Sequence, residues 1–479
     1  MTPRSVLILL MLPWWAAATT PGEKLMLAGR LDDALPVVQA EARANQSDLD
    51  SQERYIDLLL TMELGSIAET NYRRRVAADS SNADSHYLLG RVVPTAPLAV
   101  AEYQRALQLD AEHARAYMGL GAVYRATGAS GEAIDAYRLA LQRDTSLGEA
   151  WGGLTIALLN QNRRGEALEA ARLHMLNVPG EAGGYLVVAE LRPDEAAAVT
   201  AQAVTAAPDD PRVHAAMAEI ELLAGRGKQA REAGVAALTI APGHIGARLT
   251  VMFAHAMEQG TLDAEGYKAM VIAQNISQSD PEKAREAYDL LVQSYPKCPL
   301  VYMGRSRVPR GIDAAITDVR KALELDPQMS EAQAALGLLL MQTGDFKGAL
   351  MALDQAIVAR PFDISLLIMS AKAAGELDST ASLSRLEQAW TTFPSDVRLA
   401  LVYAQYLSAA GGHERAIEIL AKTANKVPDP KLGVALASVA KDGELVTLGA
   451  QTLDELATST GNATFAAIAT SLRDGGAGK

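Results

Sequence analysis

Seven histidines, one cysteine and 57 acidic residues are the material from which this 479-residue chain could build a catalytic or metal site. A metal centre on a helix needs two ligands on one face, as in the HExxH pattern that places histidines four residues apart. His86, His113, His174, His214, His244, His255 and His413 contain no such pair, and no HExxH run occurs. His174 and His214 fall where a helix should pack against a neighbour or begin, so they read as structural. There is no GxSxG elbow, no paired-cysteine zinc site and no dinucleotide glycine fingerprint. The terminal Gly475-Gly476-Ala477-Gly478-Lys479 has the glycines and lysine of a phosphate loop but no following Ser or Thr and no helix behind it. It reads as a frayed tail. Cys298 has no second thiol to pair with and reads as a small buried hydrophobe. No catalytic, cofactor-binding or metal-binding residue is assigned, and no cofactor is expected. The chemistry left is recognition.

The elements that would have to carry recognition announce themselves through proline. Pro179, Pro208, Pro242, Pro296, Pro327, Pro361, Pro394 and Pro428 are spaced by 29, 34, 54, 31, 34, 33 and 34 residues. Proline lacks the N–H that continues a helix and clashes with the preceding turn. A proline returning every thirty-four residues therefore marks the end of the same helix in a repeating unit, the period of a stacked array.

Within each period the residue types also repeat. Leu336, Gly337 and Leu340 share one helical face, Gly344 closes that helix, and Ala349, Leu353 and Ala356 form the stripe of a second helix. Tyr117, Leu120, Gly121, Tyr124, Gly128, Ala133, Tyr137 and Ala140 repeat this layout, and Trp151, Leu154, Leu158 and Ala167 follow four of them at a distance of thirty-four. On these residues the chain resembles the tetratricopeptide repeat family. The resemblance implies an all-α, right-handed superhelical solenoid of about twelve antiparallel helix pairs. The small residue of each second helix would be Ala34, Ala68, Ala99, Ala133, Ala167, Ala196, Ala230, Ala284, Ala315, Ala349, Ser382 and Ala416. The repeats at Ala99 and Ala196 are short, and that at Ser382 has lost most of its signature.

The family lines its groove with exposed residues of each first helix. Carried onto this chain, these are Arg115, Met118 and Arg125, then Glu149, Ile156 and Asn160, then Arg212 and Glu219. Further on they are Glu331, Leu338, Met341 and Gln342, then Arg398, Leu401 and Gln405. Such a mix of flexible apolar and charged side chains suits a peptide or helix partner. Some members clamp a C-terminal carboxylate with Lys and Asn. Here those places hold Met118, Ala122, Gly152 and Ile156, so that clamp is absent.

Composition and termini set the context. Aromatic residues are 5% and apolar residues 49%, which suits thin cores of Ala and Leu. A net charge of −13 argues against nucleic acid, whose phosphates need clustered Lys and Arg; Arg73-Arg74-Arg75 is the one basic run. Residues 1–18 have the layout of a secretory signal: Arg4, an apolar Val6–Leu12, and Ala16-Ala17-Ala18 as a small-x-small cleavage site. That apolar stretch is far short of the ~20 residues that span a bilayer.

The expected organisation is a signal peptide (1–18), an N-terminal array (22–242), an irregular helical junction (243–280), a C-terminal array (281–428) and a helical cap with a frayed tail (429–479). Helices are expected at 244–259, 262–277 and 281–294 in the junction, and at 431–441, 444–458 and 462–473 in the cap. The function expected is a non-enzymatic scaffold in the periplasm of a Gram-negative bacterium. It would hold proteins of a pilus, secretion, gliding motility or polysaccharide-export machine, with no nucleic acid and no membrane span once the signal is removed. An uncleaved signal would make it inner-membrane anchored, and a secreted form is the other location. The alternative is an envelope enzyme of hydrolase type, or a subunit of one, for which the C-terminal fifty residues are the only candidate region.

Overall fold

The computed structural model describes residues 20–27, 30–62, 64–460 and 462–476; the expected signal segment 1–18 lies outside them. Every regular element among the described residues is a helix. The chain divides into two compact units, one ending at Tyr267 and one beginning at Lys268. The division falls inside helix Ala264–Ile276.

In the N-terminal unit, helices alternate as first and second members of antiparallel pairs. Ala114–Ala126 and Ser130–Arg143 are one such pair, and Gly148–Asn160 with Arg164–Asn177 is the next. The turn within the first pair is Thr127-Gly128-Ala129, where Gly128 has φ +82°, a conformation that costs glycine little and other residues more. In the next pair Asn162 takes the same place at φ 59°.

Each of the eight ladder prolines sits two residues beyond the end of a second helix, after Asn177, Ala206, Ile240, Ser294, Leu325, Ala359, Thr392 and Lys426. After Pro208, Pro242, Pro361, Pro394 and Pro428 the next first helix opens on a side-chain cap, whereas those after Pro179, Pro296 and Pro327 do not. Asp210, His244, Asp363, Asp396 and Asp429, and earlier in the chain Asn82 and His113, each accept from a backbone amide of the first turn, worth about 1 kcal/mol apiece. His113 and His244 are two of the seven histidines, and they use Nδ1 as the acceptor.

Close packing depends on glycine facing tyrosine. The Tyr103 ring from helix Ala96–Leu109 lies against Gly90 and Gly119, and Tyr137 lies against Gly121 and Gly153. A Cβ on Gly153 would stand 2.2 Å from Tyr137 Cζ. These second-helix rings pass between the backbones of two first helices and reach their far side. Nine of the twelve expected small residues are buried with no exposed surface: Ala34, Ala68, Ala133, Ala167, Ala230, Ala284, Ala349, Ser382 and Ala416. Ala99 is nearly so.

Ala196 and Ala315 depart from the expectation and are only half-buried. Helix Ala196–Ala206 starts at Ala196 itself, so its contact slot passes one turn on to Val199. Ala315 faces helix Pro299–Ser306, which is eight residues long and ends too early to cover it.

The interval between Pro242 and Pro296 holds helices Ile245–Glu258, Ala264–Ile276 and Pro281–Ser294. Where other second helices carry a small residue in their fourth position, Ala264–Ile276 carries Tyr267. Its ring meets Phe253 edge-on at 5.0 Å.

In the C-terminal unit the repeat runs further than the sequence suggested. Helices Pro430–Asp442 and Val446–Thr460 form another pair, with Gly449 in the small-residue slot. The pair is hard to see because glycine replaces alanine there and the turn carries Glu444 at φ 57° in place of glycine. The last helix, Ala463–Gly476, then lays Phe465, Ala469 and Leu472 on Leu436 and Leu453, in one core with Trp390 and Tyr403.

Candidate functional site

First helices Leu49–Thr61, Ala83–Val92, Ala114–Ala126, Gly148–Asn160 and Ala182–Leu191 present one face together in the N-terminal unit. Two recesses open on it, of about 480 Å³ and about 380 Å³, and both are lined by Met118, Glu149 and Glu181. Tyr87, Tyr103 and Tyr137 wall the larger one. Gly90, Gly119 and Gly153 line it as well, because the tyrosines need their bare backbone.

A chain of ion pairs crosses the face. Arg115 Nη1 donates to Glu53 Oε2 at 2.6 Å, and its other nitrogen pairs with Asp50. Arg91 Nη2 donates to Asp57 Oδ1 at 2.8 Å, while its Nη1 lies 3.5 Å from Glu53 and 3.6 Å from Glu149. Tyr87 donates its hydroxyl proton to Glu53. Arg54 Nε donates to Glu23 Oε1 at 2.8 Å. The smaller recess is lined by six carboxylates (Glu23, Asp50, Glu53, Asp57, Glu149, Glu181) and two arginines, Arg54 and Arg115. Arg91, Arg125 and Arg212 add to the positive side from the larger one, whose own carboxylates are Glu149 and Glu181. Acid dominates the smaller recess and base the larger.

Burial changes the chemistry of these acids. Loss of water pushes the Glu149 carboxyl up to about 7, against the pull of Arg91. Asp57 is raised for the same reason, opposed chiefly by Arg91. Glu190, on helix Ala182–Leu191, is pushed by burial to about 7, and one of its carboxylate oxygens is buried without a hydrogen-bond partner among the described residues. Burial also raises Glu219.

Of the residues read from sequence, Arg115, Met118, Arg125, Glu149, Ile156 and Arg212 line these recesses. Two of them were expected to be exposed and are not. Met118 is 5% exposed because it packs into the core around Tyr137 and Leu154. Arg212 is 8% exposed because it folds back onto Asp210, the cap of its own helix, at 2.7 Å. Asn160 is exposed at the end of its helix, and Glu219 is half-buried one first helix beyond Glu190. The groove set of the C-terminal unit forms a separate group. There Leu338, Gln342, Arg398 and Gln405 are exposed, and Glu331 is half-buried. Met341 and Leu401 pack against core clusters.

Sequence reasoning missed Arg91, Glu190 and Tyr103. Arg91 and Glu190 hold the same position in their first helices as Ile156 and Glu219 do in theirs, and Tyr103 lies thirty-four residues before Tyr137. The signal was therefore present. Glu53 and Asp57 lie on Leu49–Thr61, in a repeat whose signature is too weak to register.

Six of the seven histidines have structural partners, His113 and His244 as the helix caps described above. His86 meets Glu102 at 2.7 Å, His174 meets Glu181 at 3.0 Å, His214 meets the Pro208 carbonyl at 2.7 Å, and His413 meets Ser408 at 3.0 Å. Among the described residues no group of three or more His, Cys, Asp or Glu could hold a metal ion, and no helix is long and apolar enough to cross a membrane. Cys298 is fully buried.

A tetratricopeptide repeat family model matches residues 96–147 and 310–364, one stretch in each unit. A search of curated proteins finds no match. Similar solved structures include yeast Tom70, at 14% identity over 79% of this chain and 92% of that one, with a TM-score of 0.30. TTC0263, a thermophilic tetratricopeptide repeat protein of Thermus thermophilus, is 23% identical over 39% of this chain and 98% of its own, with a TM-score of 0.29. A Naa15/Naa10 complex bound to HypK-THB is 13% identical over 94% and 78%, with a TM-score of 0.34. The family match assigns tetratricopeptide-type repeats to those two stretches, and the helix pairs on either side of them repeat the same two-helix layout.

Proposed function

We propose that this chain is a non-catalytic protein-interaction scaffold of a Gram-negative cell envelope, and that it docks a partner on the first-helix face of its N-terminal unit. One observation carries the docking reading. Five successive first helices turn charged side chains into two recesses that share Met118, Glu149 and Glu181, and second helices reach through them with Tyr103 and Tyr137. Helical repeats hold such a face rigidly, so a partner segment can be bound without first ordering the scaffold. The signal-like layout of residues 1–18 supports the compartment, and the low cysteine content is compatible with it. The machine served would be one of the exported assemblies named above, such as a pilus or a polysaccharide-export apparatus.

The test is crosslinking in intact cells from a residue of the recess, followed by identification of the attached protein and N-terminal sequencing of the mature chain. Capture of one envelope-machine component, with a new N-terminus after the Ala16-Ala17-Ala18 run, is the expected outcome. A chain that retains its first residues in the cytoplasm would overturn the compartment. Crosslinks spread evenly over both faces would overturn the docking.

A further inference from the structure

The larger recess has a basic end that its own carboxylates do not reach. First helices Ala114–Ala126 and Gly148–Asn160 run in the same direction, with Arg115 and Glu149 at matching places thirty-four residues apart. Arg125 comes ten residues after Arg115, in the last turn of its helix, which is about 15 Å further along the axis. Glu149 stands in the first turn of its helix and Glu181 just before helix Ala182–Leu191, so both recess carboxylates belong to the opposite end. Around Arg125 the lining is apolar, with Leu60, Val93, Pro94, Val123 and Ala126.

The three arginines of this recess differ in how they are compensated. Arg91 lies among Asp57, Glu53 and Glu149, and Arg212 is bound to Asp210. Among the described residues no carboxylate pairs with Arg125. It leans on the Tyr137 hydroxyl, and its Nε is buried without a hydrogen-bond partner. A guanidinium drawn partly out of water without a counter-charge costs free energy that an arriving anion recovers. The C-terminal dipole of its own helix offsets that cost only in part. Thr95 and Ala96 line the same recess at the start of helix Ala96–Leu109, which has no side-chain cap, so the positive end of a second helix dipole adds to the potential there.

We propose that this end of the recess binds an aspartate or glutamate side chain of the partner protein, seated on Arg125, with the partner's adjoining apolar residues packed against Leu60, Val93 and Ile156. The carboxylate would accept hydrogen bonds from the guanidinium, and pairs in which both groups are ionised are short and strong. The two recesses share Met118, Glu149 and Glu181, so a segment lying across both offers Arg125 a side chain and not its terminus. In the smaller recess the same carboxylate would meet an excess of acid, which fixes it at the Arg125 end. Glu149, raised to about 7, is partly protonated at neutral pH and repels it less than an ordinary glutamate would. The proposal rests on the docking reading above, and the two can fail separately.

The test uses the purified full chain and fluorescence anisotropy with a labelled, C-terminally amidated peptide of alternating glutamate and alanine. The same peptide with glutamine in place of glutamate serves for comparison, once amidated and once with a free terminal carboxylate. The chain carries a net charge of −13, so its overall field disfavours the glutamate peptide and a preference for it must come from a local cation. The glutamate peptide is expected to bind at least about tenfold tighter than the amidated glutamine peptide. Arg125→Gln should weaken it about five- to tenfold. Arg125→Lys keeps the charge but not the planar fork and should weaken it about two- to threefold. Arg105→Gln removes the same charge from an exposed part of a second helix and should change nothing. Equal binding of the two amidated peptides, or unaltered affinity for the glutamate peptide in both Arg125 variants, would overturn the proposal. A glutamine peptide with a free terminus that binds as tightly as the amidated glutamate peptide would overturn the assignment to a side chain in favour of a chain end. A partner crosslinked from the recess in cells, with no preference for glutamate in solution, would leave the docking reading standing and remove this one alone.

Discussion

Glu149 is the side chain whose protonation the recess controls most directly, and its behaviour has a definite sign. Burial raises its folded carboxyl from the ordinary 4.5 to about 7. Between those values the folded state holds a proton that the unfolded chain releases. Stability therefore falls as pH rises through that window and levels off above about 7. Arg91 and Arg115 face the group and pull the value down, Glu53 and Asp57 push it up, and the hydroxyls of Tyr87, Tyr103 and Tyr137 close the site. Urea unfolding of Glu149→Gln should show the variant gaining about 1 kcal/mol or more relative to the parent on moving from pH 5 to pH 8. Glu190 titrates in the same range and keeps part of the slope in both proteins. Arg115, which sequence alone offers as a surface contact, is instead tied to Glu53 and Asp50. Arg115→Glu should cost about 2 kcal/mol or more in thermal or urea unfolding, so loss of binding in that variant would not separate recognition from folding. Arg125→Glu is the cleaner probe. Candidates such as Arg115 and Glu149 were legible from helix position. Their partners were not, because Glu53 and Asp57 lie some sixty to a hundred residues earlier in the chain.

Helices and turns were the most legible scale. The ladder prolines mark second-helix ends, and the junction and cap helices lie within three residues of their expected limits. Legibility failed where a slot changed residue type. Gly449 replaces alanine in the last pair, Tyr267 replaces it in the wide interval, and Ala196 opens its helix without facing the partner. Pattern reading tracks which residue usually fills a slot, whereas packing needs only volume that fits. The glycine–tyrosine contacts give this scale its prediction. Gly153→Ala should gain up to about 1 kcal/mol of helix propensity and lose about 1–3 kcal/mol to the collision with Tyr137. The expected result is a net loss of about 1–2 kcal/mol in urea unfolding, and a variant more stable than the parent would contradict the packing described.

At the scale of the whole molecule the chain is a helical repeat protein in two units, with the recessed, charged face built from the first. What sequence could not supply at this scale is the asymmetry between faces. The same residue types occur on first and second helices, and only the assembled pairs show that tyrosines cross from one layer to line the recess on the other. The central claim is that partners dock on that recess, and site-specific photocrosslinking tests it most directly. Ile156 lines the recess, and Leu176, 75% exposed, lies on a second helix of the same pair. With a photoreactive residue at Ile156, one defined partner should be captured in intact cells; the same residue at Leu176 should capture nothing specific. Capture of that partner from Leu176 and not from Ile156 would contradict the claim.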